Sequence, residues 1–431
     1  MEFNEALDHL DALINHEVVP RAGAIEGLSF APTAALMAAI GNPEGAYPVI
    51  HVTGTNGKGS TVRMVETLLT VMGLRVGAYT SPHLESVTER IRVGAESIPD
   101  DDFGMVIGDI ARTAEANQMG LTWFETVTGA ALLHFANEAV DVAIVEVGML
   151  GRYDATNVVD ARIAVVTNVG FDHTSGESDW RATVAKEKAG IITADSVLVL
   201  GAADQAIVPI FVNEGPARTL LRGEDFEVVE DRLAVGGRLI SLRTPRGGAD
   251  DVLLTLHGAH QAENASLALA VAEEFFDAPL PDDVITEAFD KVEMPGRLEI
   301  VHRSPLVVLD TAHNVPGAEA LAETMATDFG EGRRRFLVLG MQDGRDPVAV
   351  CHALKVADYH LVVACTAPTA RGLHADVVRE AAIKAGANAD AVHDVEAAID
   401  HALGQADDHD LIVVAGSNTI VGKIRSIADE F

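Results

Sequence analysis

The stretch HVTGTNGKGST, residues His51 to Thr61, resembles a phosphate-binding loop but departs from the common pattern. That pattern, G-x-x-x-x-G-K-[ST], places serine or threonine directly after the lysine. Here Gly59 separates Lys58 from Ser60. The stretch therefore predicts either a variant nucleotide loop or a glycine-rich turn with an incidental lysine.

The residues around this loop favour the nucleotide site. The apolar run from Tyr47 to Val52 is typical of a buried strand. After Ser60, apolar residues recur at helical spacing up to Gly73, which is expected to end the helix. A strand, a glycine turn and a helix N-terminus together present backbone N–H groups to an anion. Lys58 would then neutralise phosphates, and the Ser60 hydroxyl would ligate Mg²⁺.

The composition indicates a folded chain of two or three domains, because 48% of its 431 residues are hydrophobic. Its start is acidic and amphipathic and does not match a signal peptide. No apolar run approaches the roughly 20 residues that cross a bilayer. Cys351 and Cys365 lack metal-site spacing and are expected to be buried thiols. We predict a cytoplasmic protein that has no membrane partner and acts as a monomer.

The net charge of −34 is the most unusual property of the sequence. Nucleic-acid backbones and anionic membranes require basic patches, so this charge argues against both as partners. Only seven of the 31 basic residues are lysine, against 65 acidic residues. Such self-repulsion is largely screened at about 1 M salt, where the Debye length is about 3 Å. The composition therefore indicates a cytoplasm of high salt, as in halophilic microbes.

Strand-like runs, among them Val49–Val52, Val142–Val147 and Leu411–Ala415, alternate with helical segments along most of the chain, which predicts an α/β fold with a largely parallel sheet. A glycine-punctuated, strand-rich stretch from Phe226 to Leu256 predicts an appended small β-sheet. Pro295-Gly296 breaks the pattern, which then restarts. We predict a P-loop-type ATPase domain at residues 1–296 and a Rossmann-like α/β domain at residues 297–431, with a cleft that closes over two substrates.

Eight motifs, in this order, resemble those of the folylpolyglutamate synthase/dihydrofolate synthase family within the Mur ligase superfamily. They are GTNGKGS (Gly54–Ser60), TSPHL (Thr80–Leu84), ERI (Glu89–Ile91), EVGMLGRYDATN (Glu146–Asn157), TNVGFDH (Thr167–His173), KEKAGI (Lys186–Ile191), MPGRLE (Met294–Glu299) and DTAHN (Asp310–Asn314). The resemblance implies ATP-dependent amide formation. A carboxylate of dihydropteroate, or of a folate that already carries glutamate, is activated as an acyl phosphate and attacked by the amino group of L-glutamate.

The resemblance also implies the nucleotide and metal ligands. ATP contacts are expected from Thr55, Asn56, Gly57, Lys58, Gly59, Ser60, Asn264, Arg297 and Asp310. Ser60 and Glu146 offer the oxygen ligands that Mg²⁺ prefers. By resemblance Ser81 joins this first site and His173 holds a second Mg²⁺, although imidazole is an unusual Mg²⁺ ligand. From the residues alone, Ser81 would be a helix cap, and His173 would be a loop or capping residue as readily as a metal ligand.

The lysine of EKAGI, Lys188, is implied to be carbamylated by CO₂ and thereby to become an anionic oxygen ligand near the second metal. Carbamylation requires a neutral amine, which burial favours. The alternative is a surface helix lysine, an interpretation that suits Lys186. The AGI sequence that follows Lys188 favours Lys188 as the modified residue.

Substrate contacts complete the implied site. His313 is expected near the γ-phosphate and glutamate as a catalytic residue together with Lys58 and Lys188, and Ser417 is expected to bind substrate. The pterin is expected to meet Thr122, Trp123, Phe124 and Glu125 by resemblance, and also Arg152 and Asp154, which follow Glu146 closely in the sequence. Core packing at a helix start explains the two aromatic residues equally well, and Asp310 could instead cap a helix.

Two departures concern the pterin pocket and the glutamate side. The family often has GLGGR, whereas this chain has GMLGR at residues 148–152, so that Leu150 replaces a glycine. The family's DGAHNP reads DTAHNV in this chain, at residues 310–315.

Two other functions compete with the folate assignment. One is a Mur-type ligase for a non-folate carboxylate, and the other is a regulatory P-loop NTPase, against which the DTAHN motif of the second domain argues.

Overall fold

The structure, a computed structural model, describes residues 1–16, 29–170, 179–330 and 332–431. In these ranges it confirms the α/β class and contains sheets of eight, three and six strands. No helix within them has the length and apolar character that a bilayer crossing requires.

The first sheet is built around the strand that precedes the phosphate loop. Its strands are β1 (Val49–Thr53), β2 (Val76–Tyr79), β3 (Ile91–Val93), β4 (Glu96–Ser97), β5 (Val142–Glu146), β6 (Ala161–Asn168), β7 (Val197–Ala202) and β8 (Arg218–Leu221). Their spatial order is β4-β3-β2-β5-β1-β6-β7-β8, and only β3 and β4 run antiparallel to their neighbours. Every residue of β1 and β5 is buried, as expected for parallel strands covered on both faces.

Nine helices surround this sheet within the described part of the first 296 residues. They are α1 (Phe3–Asp11), α2 (Ala31–Ala39), α3 (Lys58–Val71), α4 (Asp100–Ala116), α5 (Trp123–Asn137), α6 (Trp180–Ala189), α7 (Val208–Val212), α8 (Ala259–Phe276) and α9 (Asp282–Lys291). Helix α3 buries one face of valines and leucines against the sheet, and α8 and α9 pack beside it. This packing holds the N-terminus of α3 at the carboxyl ends of the strands.

The predicted appended sheet is present and antiparallel. Its strands are β9 (Glu227–Ala234), β10 (Gly237–Thr244) and β11 (Gly247–Leu254), in the order β11-β10-β9. Ile240, Leu242 and Leu254 pack into the same core as α3 and α8. The small sheet is therefore part of the first domain's core.

The six-stranded sheet begins at Arg297, directly after the predicted domain boundary. Its strands are β12 (Arg297–Arg303), β13 (Leu306–Asp310), β14 (Arg335–Leu339), β15 (Leu361–Ala364), β16 (Ala389–Ala391) and β17 (Leu411–Ala415), in the order β12-β13-β17-β14-β15-β16. Helices α10 (Val315–Thr327), α11 (Pro347–Ala353), α12 (Ala375–Lys384), α13 (Val395–Leu403) and α14 (Asn418–Arg425) cover it. All pairs are parallel except β12 with β13. We propose to divide the chain into domains at residues 296 and 297.

Candidate functional site

The phosphate loop joins β1 to α3 and needs its glycines for space as well as conformation. Gly57 has φ +80, and a Cβ there would lie 2.6 Å from Asn264 Oδ1. A Cβ on Gly54 would lie 1.8 Å from Thr167 Oγ1. Because neither position can accept a side chain, only glycine allows the loop before α3 to pack this closely against Asn264 and Thr167.

Two residues at the end of β6 fix the loop's shape. The Asn168 Oδ1 atom accepts the N–H groups of Thr55 and Asn56 at 3.1 and 3.0 Å. The Asn56 carbonyl accepts from Thr167 Oγ1 at 2.6 Å and from Asn168 Nδ2 at 3.0 Å. Thr167 and Asn168 begin the TNVGFDH motif, but no role was predicted for them. Their position at the carboxyl end of a strand could have indicated one.

Lys58, the first residue of α3, lies over the loop. Its Nζ donates to the Gly54 carbonyl at 3.2 Å and lies 4.0 Å from Glu146 Oε1. The side chain is 20% exposed, so it borders the cleft. A cation here, above a helix N-terminus, is placed to neutralise phosphate charge.

Residues with oxygen atoms suited to Mg²⁺ line the cleft beside Lys58. Glu146 ends β5, is 3% exposed, and accepts the Ser81 N–H at 3.2 Å. Burial raises the pKa of Glu146, and the nearby Lys58 ammonium is the largest opposing influence. Ser60 and Ser81 line the same cleft. A buried carboxylate with two hydroxyls fits a hard divalent cation. His173, the predicted second-site ligand, lies outside the described residues.

We expect Glu146→Gln to weaken Mg²⁺ binding about tenfold, because the change removes a formal charge from the cation's surroundings while keeping the side chain's shape. Mg²⁺ titrations of initial rate would show the shift, and raised Mg²⁺ should partly restore turnover. Glu138→Gln, on the exposed surface, is a control that should leave the titration unchanged. Superimposable titrations for Glu146→Gln and wild type would contradict the metal assignment.

The second domain supplies the opposite wall of the cleft. Asp310 ends β13, and its carboxylate accepts the N–H groups of Ala312 at 2.7 Å and Leu298 at 3.1 Å. Burial raises the pKa of Asp310, opposed first by the Arg297 guanidinium. The helix-cap alternative for Asp310 is wrong, because Asn314 caps α10 by accepting the Gly317 N–H.

His313 has a defined tautomer if it is neutral. Its Nδ1 lies 2.8 Å from the Thr311 carbonyl, which can only accept, so Nδ1 carries the proton. The other ring nitrogen, Nε2, then carries the lone pair. The carbonyl of His313 accepts from Arg345 Nη1 at 2.9 Å, which fixes the backbone.

Side chains of both domains meet across the cleft. Asn314 Nδ2 donates to Asn56 Oδ1 of the phosphate loop at 3.0 Å. Asn418 Nδ2, at the start of α14, donates to the His83 carbonyl at 3.2 Å. Arg425 pairs with Glu85 and Glu299, one residue from each domain. The phosphate loop and the second domain are thus in direct contact.

A further contact lies behind the cleft. Asp328, in the turn after α10, accepts the Gly258 N–H at 2.8 Å and pairs with Arg238 at 2.7 Å. The Asp328 carboxylate is fully buried, so its hydrogen bonds and ion pair offset the cost of removing it from water. This contact joins the appended sheet to the second domain.

The two aromatic residues predicted to bind the pterin, Trp123 and Phe124, lie in different surroundings. Trp123 lines the cleft, and the Arg90 guanidinium lies 4.5 Å from its ring centroid. Phe124 is half-buried beside Tyr79, and its ring would meet a Cβ on Gly148 at 2.4 Å. These aromatic residues begin α5, as the alternative interpretation expected. Both roles are compatible, because Trp123 packs on the core and also borders the cleft.

The remaining pterin candidates are engaged elsewhere. Thr122 and Glu125 cap α5 reciprocally, the Glu125 carboxylate accepting from the Thr122 backbone and hydroxyl. Asp154 accepts N–H groups of Met149 and Thr156. Their roles in substrate binding stay predictions.

Arg152 points away from the cleft. It pairs with Glu214 and donates to the Lys186 carbonyl at 3.1 Å. Neither Arg152 nor Asp154 is among the described residues that line the cleft. The structure therefore does not bring them to the site that was predicted from their proximity to Glu146 in sequence.

Leu150, which replaces a family glycine, has the backbone conformation that glycine favours. Its φ is +62, its side chain is buried, and its carbonyl accepts from Thr53 Oγ1 at 2.5 Å. A left-handed leucine costs about 1–2 kcal/mol. Burial of the side chain returns about 2 kcal/mol. Burial of the Leu150 side chain thus offsets the backbone strain at this turn.

Lys188 and Lys186 lie on the same helix in different surroundings. Lys188 is 3% exposed, whereas Lys186 is exposed. Lys188 is not among the described residues lining the cleft. It lies on α6, directly after the segment that contains His173. The burial agrees with the choice of Lys188 over Lys186 for a chemical role, which remains a prediction.

The cleft between the domains has a volume of about 750 Å³. Its walls bring together most of the predicted residues: Thr55, Asn56, Gly57, Lys58, Gly59, Ser60, Ser81, Trp123, Glu146, Asn264, Arg297, Asp310, His313 and Ser417. Many other lining residues were not predicted, among them Asn168, Gln261, Asn314, Gln342, Arg345 and Arg371. Gln342 donates to Ser417 Oγ at 3.3 Å, so these residues extend the predicted wall.

Comparison with known proteins identifies both domains. Residues 52–272 match the family model described as "Mur ligase middle domain", and residues 296–418 match "Mur ligase, glutamate ligase domain". A dihydrofolate synthase/folylpolyglutamate synthase of Mycobacterium tuberculosis is 40% identical over 328 residues, covering 70% of this chain and 67% of that protein.

A probable bifunctional folylpolyglutamate synthase/dihydropteroate synthase of Haloferax volcanii is 34% identical over 441 residues, covering 99% of this chain and 50% of that protein. The chain thus spans about half the length of this relative. Among solved structures, Mycobacterium tuberculosis folylpolyglutamate synthase complexed with ADP and AMPPCP has a TM-score of 0.90 at 34% identity, covering 99% of this chain and 98% of that one. A bifunctional folylpolyglutamate synthase/dihydrofolate synthase with Mn, AMPPNP and L-glutamate bound has a TM-score of 0.86 at 26% identity, covering 100% and 98%.

Proposed function

Because the chain belongs to the dihydrofolate synthase/folylpolyglutamate synthase family of Mur ligases and is an ATP-dependent glutamate ligase of folate metabolism, we propose that it accepts both dihydropteroate and glutamylated folates. The observation that supports this most is the cleft itself. It joins a phosphate loop, an aromatic residue at Trp123 and a cationic second wall in one 750 Å³ space. An activated carboxylate and an incoming amino acid can meet there.

The proposed reaction has two steps. An oxygen of the acceptor carboxylate attacks the γ-phosphorus of ATP and ADP leaves, giving an acyl phosphate. The neutral α-amino group of L-glutamate then attacks the acyl carbon, inorganic phosphate leaves, and the nitrogen loses a proton. Lys58 would hold the phosphates, and Ser60, Ser81 and Glu146 would hold one divalent cation that neutralises them.

The second wall would hold the glutamate. Arg297 lies beside Asp310, and His313 Nε2 carries a lone pair when the ring is neutral. His313 is thus placed to accept a hydrogen bond from an amine, and the Ser417 hydroxyl and Arg345 border the same space. We propose that this wall orients the amine toward the acyl carbon, which a sheltered, closed cleft favours.

A second cation would depend on His173 and on Lys188 as a carbamate. The burial of Lys188 supports this proposal, because burial penalises a charged amine. We further propose a monomer in the cytoplasm. The free, buried thiols of Cys351 and Cys365 suit that compartment.

The acceptor experiment uses purified protein with ATP, Mg²⁺ and labelled glutamate in molar KCl. One arm receives dihydropteroate and the other a monoglutamyl folate. We expect amide product in both arms and little ATP hydrolysis until acceptor and glutamate are both present. Product in one arm only would restrict the proposal to that acceptor. Product in neither, with ATP hydrolysis independent of acceptor, would favour the regulatory NTPase.

The salt response is a separate prediction, supported by the haloarchaeal relative. With 65 acidic and 31 basic residues, like charges repel across each domain at low salt. ATP, glutamate and folate are also anions. From about 0.1 M to about 2 M KCl the Debye length falls from about 10 Å to below about 3 Å. We expect both the melting temperature and the apparent affinity for ATP to rise over this range. Flat melts with activity highest near 0.1 M would contradict the halophilic interpretation.

A further inference from the structure

Away from the cleft, three potential metal ligands from two segments of the second domain lie together. They are His374, Asp376 and His393, and one ligand atom of each lies within 4.8 Å of the other two. The His374 Nδ1 atom is 3.2 Å from Asp376 Oδ2. The rings of His374 and His393 have centroids 4.4 Å apart, inclined by 47°. Two imidazoles and a carboxylate form a donor set typical of zinc and other late first-row divalent cations.

The backbone holds these segments in place. His374 precedes α12 as its N-cap residue, and His393 lies between β16 and α13. Thr366 links the two segments, because its N–H donates to the His393 carbonyl at 3.1 Å and its Oγ1 accepts the Ala375 N–H at 3.0 Å. The histidines are therefore brought together by fixed main-chain contacts, and only their side chains need to rotate to meet a cation.

The site is accessible to a cation from solvent. The side chains of His374 and Asp376 are 60% and 50% exposed. The N-terminal dipole of α12 and Arg379, 4.0 Å from Asp376 Oδ1, act against a cation. The Asp376 carboxylate and the chain's net charge of −34 offset both. Three protein ligands would leave one position for water.

We propose that His374, Asp376 and His393 form a binding site for one Zn²⁺-class divalent cation, separate from the Mg²⁺ ligands of the cleft. The consequence concerns the loop from Thr366 to His374. This loop carries Thr369 and Arg371 into the cleft wall, and Arg371 Nη2 donates to the Asp343 carbonyl at 2.9 Å. A cation on His374 and His393 would fix the end of this loop against β16.

The test is calorimetric titration of the full chain with Zn²⁺ in the presence of excess Mg²⁺, which occupies oxygen sites. A parallel titration with Co²⁺ follows its visible absorption, which reports imidazole ligands and low coordination number. We expect one high-affinity site in wild type. His393→Ala and Asp376→Asn should weaken it at least about tenfold. The matched control is His401→Ala, an exposed histidine that pairs with Asp390 in the same domain.

Circular dichroism melts without added metal would confirm that the variants fold. Loss of the high-affinity event in His393→Ala and its retention in His401→Ala would support the site. Equal affinity in wild type and His393→Ala would overturn it, as would the absence of a site above the weak background binding of an acidic surface. Amide formation with Mg²⁺ as the only added metal should persist in His393→Ala, so the result of the Zn²⁺ titration does not depend on the ligase function.

Discussion

Replacing Lys58 with alanine is expected to lower kcat about a thousandfold while leaving the fold intact. Lys58 Nζ is held only by the Gly54 carbonyl and, at 4.0 Å, by Glu146 among the contacts found in the described residues. The contact with Gly54 is local, and the ion pair with Glu146 at the end of β5 is long, so losing both should cost little stability. The ammonium is instead placed where phosphate charge would develop, and no other lysine lines the described part of the cleft.

The measurement is initial rate at saturating ATP, Mg²⁺ and glutamate in molar KCl. Lys291→Ala is the matched control, because Lys291 is an exposed lysine that pairs with Glu287 on the outer surface. It should retain wild-type turnover. Lys58→Arg would keep the charge but not the length and should recover only part of the activity. Near-normal kcat in Lys58→Ala would show that the loop does not act on the phosphates.

The central strands and the phosphate loop were predictable because local patterns determine them. The runs beginning at Val49, Val142 and Leu411 are apolar on both faces and became fully buried parallel strands. The helix after Gly57 followed from its apolar spacing. Local patterns do not predict the short strand β16, because Ala389-Asp390-Ala391 has low strand propensity and is a strand only beside β15.

The cleft was predictable only where a motif marked it. Asn168 and Asn314 lie in quoted motifs, but they contact Asn56 from 112 and 258 residues away, and neither motif specifies that partner. Conversely, Arg152 and Asp154 were placed by their nearness to Glu146 in sequence. The turn at Leu150 directs Arg152 toward Glu214 and lets Asp154 cap its own loop. Sequence proximity at a turn does not determine side-chain direction.

Replacing Lys188 with alanine is expected to lower kcat about a hundredfold or more, because the proposal makes Lys188 an anionic ligand through CO₂. In that modification the neutral Nζ forms a bond to the carbon of CO₂ and releases a proton. The burial of Lys188 in α6 favours the neutral amine that the reaction requires. Lys186→Ala is a close control, since Lys186 lies two residues away on the exposed side of the same helix. It should retain activity.

The Lys186→Ala control shows whether activity is lost through reduced helix stability. A rescue experiment then shows whether Lys188 acts as a carbamate or as an unmodified lysine. If Lys188 acts as a carbamate, formate or acetate should partly restore Lys188→Ala, since a small carboxylate can supply the missing oxygen ligands. Wild-type enzyme prepared without CO₂ should also lose activity and recover it with bicarbonate. An ordinary buried ammonium would show neither response, and added carboxylate would leave its alanine variant inactive. Full activity in Lys188→Ala would instead remove Lys188 and its proposed second cation from the reaction, leaving only the first cation, which Ser60, Ser81 and Glu146 would hold.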